Sequence, residues 1–252
     1  MNKKDKVVID SKMGNVIDKM SLDKVILRGE YFSPDSSFAD NLQISIISGN
    51  DGKEIIFPVN YSGYYLKLFL GDFNGDGKSE IMLRGEFGGS GGYGIASIYE
   101  YTDEKIKEIF SPDMFSEKYK FEAKYLNNYK VRVDAVTLNK KWIIDISSTP
   151  KVYLDFTYDN KGNVINEGVS SVSSINSAYP INDVFLDYYN LFIRQRIIGV
   201  SNADTIGVVE SFVSLKDNNL TIYSIGVFTY GNDITNTQNI TRRMIENQND
   251  LL

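Results

Sequence analysis

The chain contains no histidine and no cysteine. Those absences exclude zinc sites built on His and Cys, a Ser–His–Asp triad, a cysteine nucleophile and any disulfide. Acid–base chemistry would have to run on Asp, Glu, Lys, Tyr, Ser or Thr. A basic excess is missing too: 27 Lys and Arg face 33 Asp and Glu, for a net charge of −6 and a pI near 4.9. Nothing here attracts nucleic acid or an anionic membrane, and Lys3, Lys4 and Lys6 form too short a run to do so. No apolar run approaches the ~20 residues of a membrane-spanning helix, and the N-terminus lacks the apolar core of a signal peptide. The expectation is a cytosolic chain, or a secreted or surface protein whose signal or anchor lies outside this sequence. No linker rich in Pro, Ser or Gly divides the 252 residues, so residues 1–252 are expected to form a single all-β unit.

What is present has a period of two rather than 3.6. Residues 41–60, "NLQISIISGNDGKEIIFPVN", are two alternating runs joined by a Gly-Asn-Asp-Gly turn, a hairpin pattern. Residues 93–110 and 205–230 read the same way. "KFEAKYLNNYKVRVDAV", "NKKWIIDIS" and "VYLDFTYDNKGNVINEG" join β-branched and aromatic runs through Asn, Asp and Gly turns. Residues 183–197 are long enough for a helix but suit strands better, and 240–252 suit a short helix or a frayed tail. The predicted fold is all-β, either β-propeller-like or an irregular multi-sheet architecture of antiparallel hairpins.

One stretch reads as chemistry. In "LGDFNGDGKSEIML", residues 70–83, Asp72, Asn74 and Asp76 fall at loop positions one, three and five. Gly77 permits the bend, Lys78 offers its carbonyl at seven, and Glu80 sits at nine. Hard cations take six to eight oxygens, and this spacing supplies them from one tight loop. An EF-hand needs Glu at position twelve, where this chain has Leu83, and the following residues alternate as a strand. The plain alternative is an Asp/Asn/Gly turn that needs no metal. Three carboxylates within nine residues argue for a divalent cation, with Ca²⁺ preferred over Mg²⁺.

Laid over 71–98 at a shift of 111 residues, 182–209 suggests a degenerate repeat. Asp72 meets Asp183 and Asp76 meets Asp187, but Asn74, Gly77 and Glu80 become Phe185, Tyr188 and Leu191. An intact loop repeat is thus expected near 66–110 and a metal-free copy near 182–230.

The strand–"DFNGDGKSEIML" pattern resembles the calcium loop of FG-GAP and VCBS-type repeats, the blade motif of integrin-like β-propellers. The resemblance implies a structural Ca²⁺ held by Asp72, Asn74, Asp76, the Lys78 carbonyl and Glu80. The following "GGSGGYG" is similar to VCBS-like proteins of Gram-positive bacteria, mostly secreted or surface-exposed and without assigned activity. The expected function is therefore calcium-stabilised binding or scaffolding without catalysis, toward a cell-surface glycan or protein. The alternatives are a glycan-acting hydrolase with unidentified carboxylates, and a spore or cytosolic structural protein with a vestigial loop.

Other candidates are plainer. Glycine-rich residues 85–94 lack the helix and lysine of a phosphate loop and read as a flexible hairpin loop close to the calcium site. Glu86, Glu100, Asp155 and Glu210 read as solvated strand positions rather than a glycosidase pair. Tyr64–Tyr65 and Tyr188–Tyr189 could stack on sugars, but each pair more simply straddles a strand. Trp142 reads as a core anchor.

Overall fold

In the computed structural model, which describes residues 6–166, 170–182 and 185–229, the chain is all-β in the irregular multi-sheet form. The strands are β1 (Val7–Gly14), β2 (Asp23–Tyr31), β3 (Phe38–Ile47), β4 (Glu54–Pro58), β5 (Gly63–Gly71), β6 (Glu80–Gly88), β7 (Tyr93–Thr102) and β8 (Lys105–Phe110). A short helix α1 (Pro112–Lys118) leads to β9 (Phe121–Leu126), β10 (Lys130–Ala135) and β11 (Lys140–Asp145). Helix α2 (Lys151–Thr157) precedes β12 (Ser171–Asn182), β13 (Tyr189–Ile198), β14 (Thr205–Ser214) and β15 (Thr221–Phe228).

β1 to β8 form one antiparallel sheet in the order β1-β2-β3-β5-β6-β7-β8, with β4 paired to the far end of β3. The sheet curls until β1 reaches β5, where the Leu68 amide donates to the Asp10 carboxylate at 2.9 Å. Inside the curl lies one core, with Leu27, Ile44, Leu68, Ile81, Leu83 and Ile95. The opposite face of β5–β7 carries Met82, Ala96 and Ile98 and packs against Ile175, Leu191, Ile193 and Val213 of the four-stranded sheet β12-β13-β14-β15. The first half of β6 and most of β7 are therefore buried on both faces, which is why "IML" and "GIASIY" are near-continuous apolar runs rather than alternating ones. The other end of the four-stranded sheet packs through Ile197 and Val209 on the three-stranded sheet β11-β10-β9.

The proposed repeat aligns elements as well as letters. At a shift of 111, β5, β6 and β7 fall on β12, β13 and β14, each set a meander of successive antiparallel neighbours. Asp183 lies outside the described residues, as does the segment 240–252.

Several expectations need correction. "VYLDFT" is helix α2, not strand. It follows Pro150, whose fixed φ suits a helix start, and it buries residues at helical spacing, Leu154 partly and Thr157 and Tyr158 fully. Helix α1 was not among the expected elements, although its start is written in the sequence: Ser111 accepts from the Met114 amide, with Pro112 in the first turn. The glycine-rich loop between β6 and β7 lies at the opposite end of β6 from the acidic loop, about 30 Å away along a nine-residue strand. It is also pinned: Asn176 donates to the carbonyls of Gly91 and Gly92 at 3.0 and 2.8 Å, and Arg196 to Gly91 at 3.1 Å. Trp142 is half-buried on edge strand β11 and belongs to none of the three cores.

Candidate metal centre

The acidic loop closes the β5–β6 hairpin, where Gly71 pairs with Glu80. Its turns need backbone conformations that favour glycine, and they have them: φ is +81° at Gly75 and +84° at Gly77. Asp72 organises the loop from position one, accepting from the Gly75 amide at 2.6 Å and the Gly77 amide at 2.7 Å. Asn74 Oδ1 accepts from the Asp76 amide at 2.9 Å, and Asp76 from the Lys78 amide at 2.7 Å. These successive side chain-to-backbone turns fix the side chains at positions one, three and five on the loop's own amides.

Glu80 is the buried member, 1% exposed. One of its oxygens, Oε2, accepts from the amides of Phe73 at 2.6 Å and Asn74 at 3.1 Å. Burial pushes its carboxyl up to about 8, and the charges of Asp72 and Asp76 add to the rise; the two amides oppose it. The Lys78 ammonium lies 3.5 Å from Asp76 and donates to the Tyr101 carbonyl at 3.0 Å, so it serves Asp76 and not Glu80.

Residues distant in sequence complete the setting. Asn15, from the β1–β2 connection, donates to the Gly77 carbonyl at 3.1 Å and accepts from the Ser79 hydroxyl at 3.1 Å. From the four-stranded sheet, the Tyr189 amide donates to the Asp72 carbonyl and the Asp217 amide to the Asn74 carbonyl. Glu100 on β7, 5% exposed, accepts from Asn74 Nδ2 at 2.9 Å and from Asn218 Nδ2 at 3.2 and 3.3 Å. Glu100 is not on the solvated face expected of it. It is interior because β7 is covered on both sides, and a lone acid in "IASIYEY" was the one available hint. Of the other acids, Glu210 pairs with Arg194 at 3.1 Å, Asp155 sits on α2, and Glu86 is exposed on β6.

The loop therefore places Asp72, Asn74, Asp76, Lys78 and Glu80 in the one connection between β5 and β6. Two facts bear on whether they fit a cation. Glu80 is a buried carboxylate without an ion-pair partner among the described residues, beside two further carboxylates, which suits a divalent ion. Against this, no three acidic side chains among the described residues converge closely enough to count as a metal-holding group. The Asp72 and Asp76 oxygens instead face backbone amides, each with lone pairs to spare.

Tyr188 and Tyr189 do not form an open sugar platform. The Tyr189 ring lies 5.0 Å from Phe69 and 5.9 Å from Phe73, and the Lys216 ammonium sits 5.5 Å from the Tyr188 ring. Both rings thus dock the acidic loop on the four-stranded sheet.

No solved structure matches the chain. Residues 119–228 match the family described as the YybI C-terminal domain, which begins after the acidic loop. Across 231 residues, 91% of this chain and 88% of its relative, the sequence is 28% identical to the uncharacterized protein YybI of Bacillus subtilis (strain 168).

Proposed function

We propose that the chain is a calcium-stabilised, non-enzymatic binding or scaffolding protein of the cell surface or exterior, similar in its acidic loop to FG-GAP and VCBS-type repeats. The observation that carries the calcium reading is Glu80. A buried carboxylate next to Asp72 and Asp76, with no ion-pair partner among the described residues, gains most from a divalent cation. Asp72, Asn74, Asp76, the Lys78 carbonyl and Glu80 would hold it. The ion supplies charge neutralisation and a fixed loop shape, not a reactive centre.

The loop's position gives that stabilisation reach. Asp72 and Asn74 bond through their carbonyls to the four-stranded sheet, so a cation that orders the loop also orders the joint between the two sheets. Surface location and a glycan or protein ligand rest on the resemblance alone.

Thermal unfolding with added calcium and with chelator tests the reading. At a calcium concentration of a hundred times Kd the gain is about 2.7 kcal/mol by mass action. An unchanged midpoint removes calcium from the function. A second reading, a vestigial loop that closes without metal, is favoured by the Lys78–Asp76 pair and the complete set of side chain-to-amide turns. It makes the same measurement return no shift. Release of reducing sugar from a cell-wall glycan panel would instead favour the hydrolase alternative.

A further inference from the structure

At the far end of the β5–β6 hairpin from the acidic loop, the inter-sheet face changes character. On β5 the side chains facing the four-stranded sheet run from Phe69 to Lys67, and on β6 from Met82 to Arg84. The register places Lys67 directly opposite Arg84. Like charges opposed across a strand pair repel, and here Lys67 is exposed while Arg84 is half-buried. Neither has a carboxylate within ion-pair distance among the described residues, in a protein whose net charge is −6.

Two further features converge on the same spot. A β-bulge interrupts the hairpin between Tyr64 and Lys67, and within it Tyr65 takes φ +52°, a left-handed conformation usually left to glycine. The bulge turns both tyrosines outward, with Tyr64 37% and Tyr65 66% exposed, so this pair does not straddle its strand. On the other wall, the ring of Tyr179 on β12 lies 5.1 Å from the Arg84 guanidinium carbon, within cation–π range. β12 comes this close because residue 94 is glycine: a Cβ there would stand 2.5 Å from the Asn176 carbonyl oxygen. Between the walls is a cavity of about 310 Å³, lined by Tyr65, Lys67, Arg84, Glu86 and Tyr179 among others.

We propose that this cavity is a binding site for an oxyanion, a phosphate or carboxylate group, gripped by Lys67 and Arg84 between the rings of Tyr65 and Tyr179. A guanidinium offers two parallel N–H donors to such a group, and the ammonium adds a movable third. The anion supplies the negative charge that the opposed cations lack. Glu86, at the rim, disfavours ligands with charge spread along their whole length and so selects a compact anionic group. The site shares no residue with the acidic loop and goes beyond the function proposed above.

Calorimetric titration of the calcium-free protein with inorganic phosphate, sulfate and acetate at low ionic strength is the test. Saturable binding of at least one of them is expected, with phosphate against acetate separating the two sources of oxyanion. Lys67→Gln and Arg84→Gln should each weaken it at least tenfold, and Glu86→Gln should tighten it. Lys105→Gln, on β8, should leave it unchanged. Without anion, Lys67→Gln should melt no lower than the parent, because it relieves repulsion; a structural lysine would melt lower. Absence of binding by all three anions, or undiminished binding in the Lys67→Gln/Arg84→Gln double variant, overturns the proposal. Equal weakening by Lys105→Gln overturns it too, since binding would then be diffuse.

Discussion

The side-chain amide of Asn74 donates to the buried carboxylate of Glu100 at 2.9 Å. The third position of the acidic loop is thereby bound to β7, and Asn218 binds the same carboxylate from the turn between β14 and β15. Glu100 joins the loop to both sheets, and its three amide hydrogen bonds offset the loss of water around a buried acid.

Asn74→Ala should therefore weaken the fold whether or not calcium is present. Removing one donor from a buried charged acceptor costs about 1–3 kcal/mol, with Asn218 holding the loss to the lower part of that range. Urea unfolding in chelator measures it; a loss seen only with calcium present would show that Asn74 serves the metal alone.

Asp76→Ala should behave in the opposite way. Its side chain is 37% exposed and its pairing with Lys78 spans 3.5 Å, so the change costs under about 1 kcal/mol in chelator. It should nevertheless abolish the calcium-dependent rise in melting temperature. Asp187→Ala, at the equivalent place in the degenerate copy, should leave that rise intact.

Glu80 gives the metal-free protein a pH dependence of known sign. Its folded carboxyl titrates near 8 against 4.5 for the ordinary group, so the folded state holds the extra proton between those values. Stability from this group is full below about pH 4.5 and declines as pH rises toward 8. Calcium needs the ionised form, so binding near pH 6.5 should release close to one proton. Calorimetry in buffers of different ionisation enthalpy counts it, and Glu80→Gln should bring the count to zero.

Phe73, between the loop's first two polar positions, is fully buried among Met82, Leu191 and Val213. Phe73→Ala should cost about 3–5 kcal/mol, as large aromatic truncations in cores do. Calcium should recover part of this only if the loop keeps its shape, which the melting shift of the variant reports.

Much of this was legible in the sequence, for physical reasons. Alternation marked β3–β4 and β14–β15, and turn residues marked these hairpins and β7–β8, because a hairpin is local and its turn chemistry is written beside it. The acidic loop was legible for the same reason: Asp72, Gly77 and Glu80 lie within nine residues, and both carboxylates accept from the loop's own amides. What was not legible depends on contacts between distant segments. Glu100 became interior only because β12–β15 cover β7, and Tyr65 faces outward only because of a bulge whose register depends on β6. α2 was misread because Val152, Tyr153 and Phe156 favour strands, while the helix turns those side chains outward and is held by Leu154, Thr157 and Tyr158. Local preference lost there to packing.

The order in which the chain is made gives the inter-sheet joint another meaning. Glu100 and Asn218 are 118 residues apart, and Phe73 and Met82 wait for Leu191 and Val213 to cover them. A ribosome-bound chain that has released β1–β8 but not β13 carries a finished hairpin with an uncovered apolar flank. The acidic loop lies at the end of that hairpin, so a cation bound early would hold the unfinished sheet in shape until its cover arrives.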